Sequence, residues 1–101
     1  MTNYMLIDGK IVAEPDIIKW AQWFETAQRV VARDEVGDVL VSTVFLGIDH
    51  GFTRQGPPIL WETMIFGGPH DQYQDRYCTQ EEALAGHATA LAIAKGEANE
   101  D

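Results

Sequence analysis

Residues 39–68 read VLVSTVFLGIDHGFTRQGPPILWETMIFGG, and how this stretch folds decides the architecture. Val39, Val41, Thr43, Val44, Phe45 and Ile48 are β-branched or aromatic, which suits a pleated surface and resists helix. Gly51 and Gly56 punctuate the middle, and Pro57-Pro58 cannot sit inside a central strand. The spacing therefore predicts two antiparallel strands, 38–48 and 59–67, at the centre of a small sheet. One face of the first carries Val39, Val41, Thr43 and Phe45; the other carries Leu40, Ser42, Val44, Leu46 and Ile48. In the second strand Ile59, Trp61, Thr63 and Ile65 oppose Leu60, Glu62, Met64 and Phe66. Both faces are largely apolar, whereas a sheet wetted on one side alternates with polar residues. Helices must cover both faces, or a second subunit must cover one.

Upstream, MLI and KIV flank Asp8-Gly9, a two-residue turn signal that predicts a hairpin with strands 3–7 and 10–13. Glu14-Pro15-Asp16 opens a helix, and Ile17, Trp20, Phe24, Ala27 and Val31 recur at helical spacing, which predicts a helix over 16–33 with that stripe buried. Asp34 to Asp38 reads as the turn out of it, with Gly37 at the special backbone position. Downstream, Gly67-Gly68-Pro69 stops the second strand and HDQYQDRYC reads as a polar, aromatic-bearing loop. Thr79-Gln80-Glu81-Glu82 has the capping-box pattern and starts a helix over 80–94 whose inner face is Leu84, His87, Ala88 and Leu91, with Gly96 ending it. The expectation is a single α+β domain over 1–95, a small antiparallel sheet in the order ββαββα packed with two helices. The acidic residues 96–101 form a disordered tail.

The chain has 101 residues and a formal charge of −9 at pH 7. Seven basic residues give no clustered phosphate-binding surface, which argues against direct nucleic-acid binding. No apolar run nears the roughly 18 residues that a membrane span needs, and no signal peptide is visible at the start. The lone Cys78 has no internal disulfide partner, so a reducing cytoplasm is the expected compartment.

No phosphate loop, nucleophile elbow or zinc-ligand spacing is present, and neither cofactor nor metal is expected. The candidate binding residues are Asp49, His50, Glu62, His70, Tyr73, Arg76, Tyr77 and His87. Asp49-His50 and His70-Asp71 end the two central strands, and antiparallel pairing sends those ends apart. Glu62 interrupts an apolar strand and needs a partner, for which Arg76, His87 or a backbone donor is available. Tyr73, Arg76 and Tyr77 bring interface-favoured side chains to one loop, with Tyr77 alternatively packing beneath the last helix. His87 falls on the inner face of that helix beside Gly86, which suggests a close backbone approach. Cys78 precedes a helix, where a thiol can be activated, against the alternative of a half-buried structural cysteine.

The runs EPDIIKWAQWFE, VSTVFLGIDHGF, GPPILWETMIFGG and RYCTQEEALAGH resemble a family of short, uncharacterised bacteriophage and prophage proteins. The likeness spans about Tyr4 to Leu91 and implies a small accessory phage product acting in the host cytoplasm; it assigns no residue a role. Three functions follow: a non-enzymatic binder that inhibits a host protein or host defence system, a sponge for a small nucleotide ligand, and a small hydrolase or metal enzyme using His50, Glu62, His70 or His87. A two-fold homodimer is expected as well, because water against Leu46, Ile48, Trp61 or Ile65 would leave a large apolar patch.

Overall fold

The structure, a computed structural model, describes residues 2–49 and 56–96; His50 and the tail 97–101 lie outside the described residues. It is an α+β domain of two helices and two antiparallel sheets, as the sequence predicts, with strands added where sequence reading expected helix and loop. In chain order the elements are β1 (Tyr4–Ile7), β2 (Lys10–Ala13), α1 (Ile17–Thr26), β3 (Val30–Val36), β4 (Val39–Phe45), β5 (Trp61–Phe66), β6 (Gln74–Tyr77) and α2 (Gln80–Ala94). Strands β1 and β2 form a hairpin turned at Asp8 and Gly9, both at positive φ (50° and 78°). The other four strands form a meander in the order β3-β4-β5-β6.

The helix expected over 16–33 stops at Thr26, and its second half is the edge strand β3. Local periodicity loses there to tertiary pairing. Ala27 turns extended, the Phe45 amide donates to the Arg29 carbonyl at 2.8 Å, and the Arg29 guanidinium donates to the Phe45 carbonyl at 3.1 Å while lying 4.0 Å over the Phe24 ring. Val30 and Val31, β-branched, follow these contacts into the sheet. Gly37 keeps its special backbone (φ 60°) but turns the β3–β4 hairpin rather than ending a helix.

Helix α2 lies across one face of the sheet. Its capping box forms: the Glu82 amide donates to Thr79 Oγ1 and the Thr79 amide to Glu82 Oε1, each at 3.1 Å. The buried stripe is Ala83, His87, Ala90 and Ile93, not the expected Leu84, His87, Ala88 and Leu91; Leu84 and Ala88 are exposed. Small residues at 83 and 90 let the helix settle on Val41, Phe45, Trp61 and Ile65, which are buried. Trp61 and Ile65 thus need no second subunit to cover them.

The hairpin and α1 close one end of the sheet. Trp20 donates its indole N–H to the Tyr4 carbonyl at 2.8 Å, and Trp23 meets Phe45 edge-on, ring centroids 6.0 Å apart. Gly47, at φ 80°, lies against Phe24 and Trp20, so a side chain there would press both rings. Yet α1 has no buried residue and Ile17, placed in the expected stripe, is 56% exposed. The second face of the sheet, bearing Leu40, Ser42, Val44, Glu62, Met64 and Phe66, is covered by no helix among the described residues.

Candidate functional site

Beneath α2 a line of polar side chains crosses the sheet. His87 Nε2 lies 2.7 Å from Asp34 Oδ2, His87 Nδ1 lies 2.7 Å from Thr43 Oγ1, and Thr43 Oγ1 lies 2.5 Å from Thr63 Oγ1. Register explains the assembly: Asp34 stands opposite Val41, and Thr43 opposite Thr63, so all three project to the α2 side, where His87 descends between them. With Asp34 ionised, Nε2–H donates to the carboxylate, Nδ1 accepts from Thr43, and Thr43 accepts from Thr63. An acid, an imidazole and a hydroxyl in this order have the connectivity of a nucleophile activated by a general base. Both hydroxyls, however, are 0% exposed, so no substrate carbonyl or phosphoryl group can reach them. The chain of bonds locks α2 to β3, β4 and β5.

Tyr77 continues this layer. It is buried against Gly86 of α2, as the glycine suggested, and its phenol pKa is raised by burial, with Thr63 as a partly offsetting neighbour. The hydroxyl has no partner at hydrogen-bond geometry. Tyr77→Phe is therefore expected to be neutral or to stabilise by up to about 1 kcal/mol, since the deleted group is buried and unsatisfied. Because the folded phenol holds its proton more tightly than the unfolded one, wild-type stability is intact below pH 10.0 and declines as pH rises through and beyond it. Denaturant melts at pH 8 to 11 check both: the Phe variant lacks Tyr77's share of the alkaline decline.

On the opposite face Glu62 finds its partner. Its side chain is 14% exposed, Arg76 Nε lies 2.9 Å from Glu62 Oε2, and the Gln74 amide donates to the same oxygen. The residues 74–77, expected as a loop, ladder onto β5 as a strand, and that register sets Arg76 opposite Glu62, where it satisfies the carboxylate. His87, named as an alternative partner, belongs to the other face and is engaged by Asp34 and Thr43.

The remaining candidates are dispersed. Asp49 accepts the Ile59 amide at 2.9 Å, which ties the two ends of the β4–β5 connection. Half-buried His70 lies in the turn after β5, its carbonyl accepting the Tyr73 amide at 3.0 Å, at the other end of the sheet from Asp49. Tyr73 packs beside Val41, Ile65, Ala90 and Ile93. The Cys78 thiol is pushed up, first by burial and then by Glu82 and Asp49, the opposite direction from the lowered value that activates a thiol at a helix start. Among the described residues no three His, Cys, Asp or Glu side chains gather as a metal site, and no helix is long and apolar enough to cross a membrane.

No protein-family model, curated protein or solved structure matches the chain. The site is thus read from its own geometry. Asp34, Thr43 and Thr63, central to the buried line, escaped sequence reading; the only signal was a pair of threonines on the otherwise apolar α2-facing side of two strands. Equally unforeseen are exposed aliphatic side chains on the hairpin and α1: Ile7, Ile11, Val12, Ile17 and Ile18.

Proposed function

We propose that the protein is a non-enzymatic binding protein that docks on another protein through its β1–β2 hairpin and the start of α1. The observation that carries this reading is the concentration of exposed aliphatics there: of eight large apolar side chains that stand exposed among the described residues, Ile7, Ile11, Val12, Ile17 and Ile18 are five. Solvent-facing apolar groups clustered on one structural unit mark interaction surfaces. Asp8, Glu14, Asp16 and Glu25 outnumber Lys10 and Lys19 around them, so the fitting partner has an apolar patch bordered by basic side chains. The resemblance to short phage and prophage proteins supplies the context: the partner is a host protein or a component of host defence, met in the host cytoplasm. The free Cys78 suits that reducing compartment. The burial of Thr43 and Thr63 weighs against the enzyme reading.

The test is capture from host lysate with the wild type and with an Ile11→Asp/Ile18→Asp double variant, identified by mass spectrometry. The expected result is a stoichiometric partner held by the wild type and lost by the folded variant. Turnover of a substrate, or a nucleotide-specific thermal shift without protein capture, overturns the reading in favour of the hydrolase or the sponge.

A further inference from the structure

We propose that the open face of the four-stranded sheet is a homodimer interface whose occupant is a second copy of this chain. This rests on a different surface, and on different observations, from the docking of the hairpin and α1. Leu40 pairs across from Phe66, Val44 stands beside Glu62, and Met64 lies between Ser42 and Gln74, so an apolar stripe runs over β4 and β5. Phe66 is 40% exposed, and none of the described helices packs on the stripe.

Three observations select a second copy as the occupant. The first is charge. The chain carries −9, yet this face is formally neutral: Arg33 pairs with Glu35 at 3.0 Å and Arg76 with Glu62 at 2.9 Å, one pair at each side of the stripe. Asp34 and Asp75, by register, project to the α2 side. A face without net charge offers nothing to draw a basic partner, and it is where two acidic chains can meet with least repulsion.

The second is symmetry. A two-fold axis lying between the sheets and parallel to the strands sets β4 of one copy over β5 of the other, and β3 over β6. That axis keeps each residue at its level along the strands, so Leu40 faces Phe66 twice over, Ser42 faces Met64, Val44 faces the Arg76-paired Glu62, and Arg33 faces Gln74. Such self-complementarity is what a two-fold contact requires.

The third is the state of the edges. Strand β3 presents Arg33, Asp34 and Glu35, and β6 is four residues long with Asp75 and Arg76, so both edges are short or charged and resist strand addition. Association is thereby directed to the face. Four strands about 4.8 Å apart, averaging about 20 Å in length, give roughly 400 Å² of flat footprint. Side-chain relief takes the buried area toward, but not past, the ~800 Å² per partner of a standard interface, which fits dissociation on the order of micromolar.

Light scattering coupled to gel filtration, with sedimentation velocity across about 1–200 μM, reads this directly. The expected mass is twice the 11.3 kDa chain at the upper concentrations. Phe66→Lys and Met64→Lys each raise the dissociation constant by about thirtyfold or more, as loss of a central anchor does. Phe66 is exposed enough that its variant keeps the wild-type far-ultraviolet spectrum. Ile18→Asp, on α1, leaves the dimer intact. Raising salt from about 50 to 300 mM strengthens the dimer, because screening relieves repulsion between two acidic chains, whereas docking of a basic partner weakens. A monomer mass at 200 μM overturns the proposal, as does a dimer that Ile18→Asp dissociates and folded Phe66→Lys does not. Loss of a captured host protein by Phe66→Lys, with the wild type monomeric, would assign this face to that partner instead.

Discussion

Gly86→Ala is expected to destabilise the protein by about 2–4 kcal/mol, against the usual sense of this substitution. In an exposed helix interior, alanine is favoured over glycine by about 1 kcal/mol. Here a methyl group on residue 86 falls onto the hydroxyl end and ring edge of Tyr77. The ring has nowhere to retreat: Tyr77 pairs with Trp61 across the β5–β6 ladder and is buried beneath the helix. Helix α2 must lift or tilt instead, loosening Ala83, Ala90 and Ile93 from the sheet, and overpacking of this kind costs more than the propensity gain. For a domain of this size the melting temperature falls by roughly 10–25 °C. Replacing Tyr77 by Leu in the same background removes the clash, so the double variant is expected to be more stable than Gly86→Ala alone, and a double-mutant cycle gives the coupling. A raised melting temperature for Gly86→Ala would contradict the packing of Tyr77 on the helix.

His87→Ala is expected to cost about 3 kcal/mol. It deletes two bonds of 2.7 Å, one to Asp34 and one to Thr43, and opens a cavity where α2 rests on β4. His87→Leu separates the two contributions. It refills most of the volume, Thr43 and Thr63 still satisfy each other, and half-exposed Asp34 turns to water, so the loss shrinks to about 1–2 kcal/mol. Chemical denaturation measures both. Equal losses for Ala and Leu would mean that the hydrogen bonds, not the filled space, carry the contribution of His87.

The features that sequence reading anticipated are those whose cause is local. Asp8-Gly9 supplies positive φ on the spot, Thr79 and Glu82 cap a helix three residues apart, and the β-branched run from Val39 resists helix without help from elsewhere. What it missed depends on distant partners. Val30–Val36 is a strand because β4 lies beside it, although Val31 prolongs the periodicity of Ile17, Trp20 and Phe24. Gln74–Tyr77 is a strand because β5 lies beside it, where Glu62, twelve and fourteen residues earlier, takes Gln74 and Arg76. The line from Asp34 through His87 and Thr43 to Thr63 joins residues 53, 44 and 20 positions apart, and no spacing rule reaches that far. The inner face of α2 was misplaced by one residue for a related reason: the sheet's demand for small side chains at 83 and 90 outweighs the apolarity of Leu84.

The position of α2 in the chain has a consequence for biosynthesis. Every strand of the four-stranded sheet precedes the helix that covers it, so on the ribosome the meander is made before its lid. Until residues 80–94 emerge, Val41, Phe45, Trp61 and Ile65 have no α2 to shield them, and a stalled or truncated nascent chain carries that face bare to the crowd of other proteins. Folding of the meander and arrival of α2 are thus coupled in time, and it is this later-translated helix that turns a sticky sheet into a finished domain.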